Sequence, residues 1–163
     1  MSVAICPGSF DPITLGHLNI IRRASKIFDK VIVCVMCNST KTSPMFTIEE
    51  RTQMVEKSIE RFPNVSVDTF SGLLTEYAKK YENAVVVKGL RAASDFEYEF
   101  QMALTNKKLN PNVETLFLTT ASQNMYLSSS MVKQVASMGG DISSFVPEVI
   151  KQDIINRIYI KNN

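Results

Sequence analysis

The chain reads as an α/β protein, with a five-stranded, mainly parallel sheet forming the middle of a three-layer, single-domain fold. Three observations predict this. Short strand-like runs recur at Val3-Ala4-Ile5, Val31 to Met36, Val65 to Thr69, Ala84 to Val87 and Glu114 to Leu118. Segments with apolar residues at helical spacing separate them, and strands alternating with helices imply right-handed crossovers between parallel strands. The second run is continuously apolar and rich in β-branched residues, as expected of a strand covered on both faces.

Taken in order, Val3-Ala4-Ile5 leads into Cys6-Pro7-Gly8-Ser9-Phe10-Asp11-Pro12-Ile13-Thr14-Leu15-Gly16-His17, a strand, a turn and a helix start. Gly8 allows close approach of a ligand to the backbone, Asp11-Pro12 fixes a turn, and Gly16 clears the helix entrance. His17, the sole histidine, falls in the first helical turn. Unpaired N–H groups and the positive end of the helix dipole favour an anion there, phosphate above all. Leu18, Ile21, Ala24, Ile27 and Phe28 mark the buried face of a helix running to Phe28, and Asp29-Lys30 ends it.

After the second strand comes a polar loop, 38–44, containing Lys41. Thr47-Ile48-Glu49-Glu50 matches a capping box, so a helix should run from there to about Phe62, before Pro63. A third strand and the Ser71-Gly72 turn precede a short helix from Leu73 to Tyr81 that packs Leu74, Tyr77 and Ala78. The fourth strand ends in Lys88-Gly89-Leu90-Arg91, and Ser94-Asp95 can cap a helix reaching Leu109. Pro111 breaks the chain before the fifth strand. Ser128-Ser129-Ser130 then opens a helix stopped by Gly139-Gly140, and Pro147 opens a terminal helix whose Ile150, Ile154 and Ile158 share one face. In parallel α/β sheets ligands bind at the carboxyl ends of the strands. The Ser9 loop, the Lys41 loop, Lys88 to Arg91 and the Ser128 segment all follow strands and should meet at one cleft.

Composition narrows the function classes. A chain of 163 residues, 45% of them hydrophobic, can bury a proper core. Its 18 basic and 16 acidic residues give a net charge of +2 without a run of like charge. That argues against a nucleic-acid partner and suits an enzyme for small anionic substrates. No stretch is long enough to span a membrane, and the N-terminal apolar run lacks a basic region and a cleavage signal, so a cytoplasmic protein with no membrane partner is expected. Cys6, Cys34 and Cys37 are an odd number in apolar surroundings and are expected as buried thiols. Cys34 and Cys37 have C-x-x-C spacing, but residues three apart on a strand face opposite sides and no second pair exists, so no metal site is expected.

Pro7 to Pro12 with Thr14-Leu15-Gly16-His17 resembles the T/H-x-G-H signature of the nucleotidylyltransferase superfamily. Lys88-Gly89-Leu90-Arg91 with Asp95-Phe96-Glu97-Tyr98-Glu99, and Ser128 to Lys133, narrow the resemblance to the bacterial phosphopantetheine adenylyltransferases, from Val3 to about Pro147. The resemblance implies a Rossmann-like fold and the transfer of AMP from ATP to 4′-phosphopantetheine, giving dephospho-coenzyme A and pyrophosphate with Mg2+. It implies that His17 stabilises the transition state, with Lys41 and Arg91 also catalytic. Ser9, Lys41, Leu74 and Lys88 would bind the acceptor, Leu74 through its backbone. Ser9, Phe10, His17, Gly89, Leu90, Arg91, Glu99, Asn124, Met125, Tyr126, Leu127, Ser128, Ser129 and Ser130 would line the ATP site. A homohexamer and feedback binding of coenzyme A are likewise implied. The family often has Thr at position 9 and Arg at position 88; Ser9 keeps the hydroxyl, whereas Lys88 replaces a planar fork by a point charge.

The residues suit such a reaction. A phosphate acceptor with a second pKa near ~6 is already a dianion at neutral pH, so no general base is required. The need is to align two anions and stabilise charge on the α-phosphate and departing pyrophosphate. Competing readings are transfer of CMP to a polyol phosphate or of AMP to nicotinate mononucleotide, a non-catalytic nucleotide sensor, and the catalytic core of an aminoacyl-tRNA synthetase. The chain has no room for an anticodon-binding domain, and the intact His17, Lys41 and Arg91 speak against a sensor.

Overall fold

The computed structural model describes residues 1–37 and 44–162, with the side chains of 93, 94 and 160–162 outside the description. Five strands, β1 (Val3–Gly8), β2 (Lys30–Cys37), β3 (Val65–Ser71), β4 (Val85–Leu90) and β5 (Glu114–Thr119), form one sheet in the order β3-β2-β1-β4-β5. Every pairing is parallel, with Ala4 opposite Val31 on one side and Val85 on the other. The chain thus builds outward from β1 to β3, then returns to lay β4 on the other flank of β1. The crossovers leave β1 and β4 in opposite directions, which opens a crevice beyond their carboxyl ends.

Helices α1 (Leu15–Ala24), α2 (Ile48–Ile59), α3 (Leu74–Ala78), α4 (Ala93–Leu109), α5 (Ser129–Ser137) and α6 (Glu148–Asn162) complete the layers. On one face, Ala4, Cys6, Val31, Val33, Val35 and Val87 pack under α1, α2, α5 and α6. On the other, Val3, Ile5, Ile32, Cys34 and Val86 pack against Tyr77 and Ala78 of α3. Adjacent residues of β1 and β2 therefore enter opposite cores, as the strand period requires. Ile150, Ile154 and Ile158 of α6 are all buried in the first core, as their spacing predicts. The Thr47–Glu50 capping box also forms: Glu50 N–H donates to Thr47 Oγ1 and Thr47 N–H to the Glu50 carboxylate.

Three expectations need correction. The first helix, Leu15–Ala24, has His17 in its first turn as expected but ends at Ala24 rather than at Phe28; tight turns then take Lys26 and Ile27, leaving Ile27 exposed. Ser94 and Asp95 do not cap α4, whose N-cap is Ala92 with no side-chain cap, because Asp95 is drawn to Arg91. Of the three thiols, Cys6 and Cys34 are buried but Cys37 is only half-buried at the end of β2. No helix among the described residues is long and apolar enough to cross a membrane.

Candidate active site

The crevice beyond β1 and β4 holds a cavity of about 540 Å³, large enough for a nucleotide-sized ligand. Its β1 wall is a backbone construction. Gly8 ends the strand, and a Cβ there would lie 3.0 Å from the Phe10 ring, so Gly8 serves the packing of Phe10 as well as backbone approach. Phe10 takes a positive φ of 48°, and a cis Asp11-Pro12 bond follows. The Phe10 ring is buried and meets the His17 imidazole edge-on, with centroids 5.2 Å apart.

His17 occupies an unusual place in a capping box. Thr14 is the N-cap of α1, its hydroxyl accepts from His17 N–H, and His17 fills the position where Glu or Gln is usual. Thr14 N–H donates to His17 Nδ1 over 3.0 Å, with Thr14 Oγ1 also 3.0 Å away. A backbone N–H can only donate, so Nδ1 accepts and the proton of the neutral ring sits on Nε2. Burial, then the charges of Arg91 and Lys88, push the His17 pKa down to about 4. The ring that lines the cavity is therefore a neutral, oriented N–H donor at physiological pH.

The β4 wall is built from paired charges. Gly89 packs against α1 so closely that a Cβ would lie 2.8 Å from Ile20 Cγ1. On either side of it, Lys88 Nζ meets Glu99 at 3.2 Å, and Arg91 Nε meets Asp95 at 2.9 Å. Both carboxylates come from α4, one turn apart. Arg91 also donates to Leu127 O at 2.5 Å. The third wall is α5, where Ser128 is the N-cap, accepting from Met131 N–H, and Ser129 Oγ donates to Pro12 O at 2.8 Å.

Of the residues expected at the site, Ser9, Phe10, His17, Lys88, Gly89, Arg91, Glu99, Leu127, Ser128, Ser129 and Ser130 line one cavity. Lys41 lies outside the described residues. Leu90, Met125 and Tyr126 do not line the cavity, and the last two are exposed. Asn124 is buried in a 3-10 turn and borders a separate, shallower groove with Arg22 and Arg61. Leu74 is half-buried on α3 and packs against the second core.

Three cavity residues were missed by sequence reasoning. Asp11 accepts from Met45 and Phe46 N–H and pairs with Lys133 of α5 at 2.8 Å. Burial opposes its ionisation, but the Lys133 bond and the two amides outweigh that and hold its carboxyl below the ordinary range. Arg51 of α2 is buried and donates to Ser9 O at 2.8 Å, Thr47 O at 3.3 Å and Met36 O at 3.4 Å. One signal existed: Arg51 interrupts the stripe that Met54, Val55 and Ser58 continue on the buried side of α2.

A cytidylyltransferase-like family model matches residues 5–135. The phosphopantetheine adenylyltransferase of Alkaliphilus metalliredigens is 59% identical over 152 residues, covering 93% of this chain and 96% of the relative. Those of Caldanaerobacter subterraneus and Clostridium tetani are 54% and 55% identical, each covering 96% of this chain and 98% of the relative. A crystal structure from Vibrio parahaemolyticus, described as a candidate nicotinate-nucleotide adenylyltransferase, superposes with a TM-score of 0.72 over 97% of this chain and 94% of that one. At 19% identity it shows the fold alone. The match in sequence along nearly the whole length, over a cleft built from the same signature blocks, means that the chain belongs to the phosphopantetheine adenylyltransferase family of nucleotidyltransferase enzymes.

Proposed function

We propose that this enzyme transfers AMP from ATP to 4′-phosphopantetheine, releasing pyrophosphate, by direct in-line attack of the acceptor phosphate on the α-phosphate. The observation that carries the reading is the neutral, Nδ1-anchored His17 on a cavity whose opposite wall presents Lys88 and Arg91. An imidazole with its Nδ1 occupied and its pKa near 4 is unsuited to a general base and well suited to donate Nε2–H to an oxygen gaining charge. That matches an acceptor that is already a dianion and needs no base. Lys88, with Lys41, would offset repulsion at the acceptor, while Arg91 and Ser128 to Ser130 would hold the β- and γ-phosphates. Positioning and electrostatics supply most of the acceleration in such transfers.

Among the described residues no cluster of three or more His, Cys, Asp or Glu side chains could cage a metal. The hydroxyls of Ser9 and Ser128 to Ser130 fit instead an Mg2+ carried in on the ATP phosphates, the usual habit of that ion. Bound there, Mg2+ would neutralise charge on the triphosphate. α4 supports assembly into the expected homohexamer: over its 17 residues it leaves Phe96, Tyr98, Phe100, Met102 and Leu104 exposed. Coenzyme A, as an analogue of the product, would compete at the same cavity.

Pyrophosphate release tests the acceptor directly. ATP with phosphopantetheine is expected to release it far faster than ATP alone. The reading fails if that pair gives no excess, and a higher rate with nicotinate mononucleotide, or with CTP and a polyol phosphate, would replace it.

A further inference from the structure

We infer that Arg51 supplies a fixed positive charge to the acceptor side of the cavity and acts as a positioning residue for the acceptor's phosphate. The inference deepens the adenylyl-transfer reading and rests on it. Four described cations line the cavity: Arg51, Lys88, Arg91 and Lys133. Lys88 is paired with Glu99, Arg91 with Asp95 and Lys133 with Asp11. Arg51 has no carboxylate within ion-pair distance among the described residues, although it is 6% exposed. The undescribed stretch 38–43, Asn-Ser-Thr-Lys-Thr-Ser, contains no acidic residue.

A buried charge is expensive unless it is both hydrogen-bonded and neutralised. The three carbonyls give Arg51 hydrogen bonds but leave its charge uncompensated. Two of those carbonyls, Ser9 O and Met36 O, stand at the carboxyl ends of the neighbouring strands β1 and β2, beside the cavity where an acceptor held by Ser9 would place its phosphate. A phosphate monoester dianion entering there supplies the missing counter-charge. At a protein's effective dielectric a unit charge several Å away is worth a tenfold or larger change in affinity. By holding Ser9 O, the same guanidinium also sets the position of the Ser9 residue itself.

Two substitutions separate charge from bracing. Arg51→Gln keeps donors for the carbonyls and removes the charge; Arg51→Lys keeps the charge and loses the fork. Each is checked for folding by its thermal transition, then titrated calorimetrically with 4′-phosphopantetheine and with pantetheine, which lacks the phosphate. The wild type is expected to prefer the phosphorylated ligand, Arg51→Gln to lose about tenfold or more of that preference, and Arg51→Lys about threefold or less, with pantetheine binding unchanged. Equal losses for both ligands, or for both variants, would mean that Arg51 only braces the backbone and would overturn the inference, as would no loss at all. A wild type that ignores phosphopantetheine but uses another phosphate acceptor overturns the acceptor assignment alone. The two variants are then read against that acceptor and its dephosphorylated form, with the same criteria.

Discussion

On the β1 side of the cleft, the entrance of α1 presents a neutral group already in place, an imidazole anchored through Nδ1 by its own N-cap residue. On the β4 side they are cations already satisfied, Lys88 by Glu99 and Arg91 by Asp95. The first side needs no rearrangement to receive an oxygen that is gaining charge, so its interactions can be stronger in the transition state than before it. The second side can hold a phosphate only by sharing or exchanging a carboxylate partner, so its net affinity is a difference between two ion pairs. For the proposed transfer, the contrast assigns rate to the imidazole of the β1 wall and binding to the paired cations of the β4 wall.

The hardest test of that division is His17→Ala, which is expected to lower kcat by about two to three powers of ten, the scale of one lost oxyanion donor. KM for both substrates should stay within a few-fold in steady-state pyrophosphate release. A kcat within a few-fold of wild type would remove the rate from this wall. On the other wall, Lys88→Met should raise the acceptor KM by about tenfold to a hundredfold, the worth of one charge-assisted hydrogen bond, and leave kcat comparatively untouched. Should kcat fall instead and KM hold, the two walls have been given each other's roles.

Thr14→Ala probes the anchor rather than the donor. Losing the N-cap should cost about 1 kcal/mol of stability, read as a thermal shift of roughly 2–4 °C. With its hydroxyl partner gone, His17 should also lose orientation, and kcat should fall about tenfold; a stability loss with unchanged kcat would show that the backbone bond from Thr14 suffices. The remaining test is with pH. The folded His17 pKa, near 4, lies below the ordinary 6.5, so between those values the unfolded chain binds the extra proton. The contribution is fully present above about pH 6.5 and is lost as pH falls toward 4. Thermal melts of wild type and His17→Gln should therefore converge as the pH is lowered through that window. Parallel curves would mean that the folded imidazole titrates normally.

What could be read from the sequence was what local chemistry decides. The strands, the Thr47–Glu50 box, the Ser128 cap and the isoleucine stripe of α6 depend on neighbours within a few residues. The end of α1 escaped because Ile27 and Phe28 continue the helical spacing although the chain tightens into turns beyond Ala24. Ser94-Asp95 looked like a cap because nothing local shows that Arg91 claims the carboxylate. Asp11 is the clearest case: its partner Lys133 stands 122 residues along the chain, and only the folded sheet brings them together. The block order located the cleft, but which cations within it are neutralised is a tertiary property.

Ser129 and Lys133 stand one turn apart on α5 and fasten it to Pro12 and Asp11 respectively. Two fasteners along a helix axis remove both sliding and rolling, which a single one would permit. The serines at the start of α5 and the imidazole of α1 therefore share a common frame and cannot drift relative to each other without breaking the Lys133–Asp11 ion pair. Breathing of the cleft is left to the wall that carries α4, which is tied to its neighbours by exchangeable pairs and thinly covered by the core. A solvent-exchange experiment would accordingly find the amides of α5 near its start slower than those in the first turns of α4.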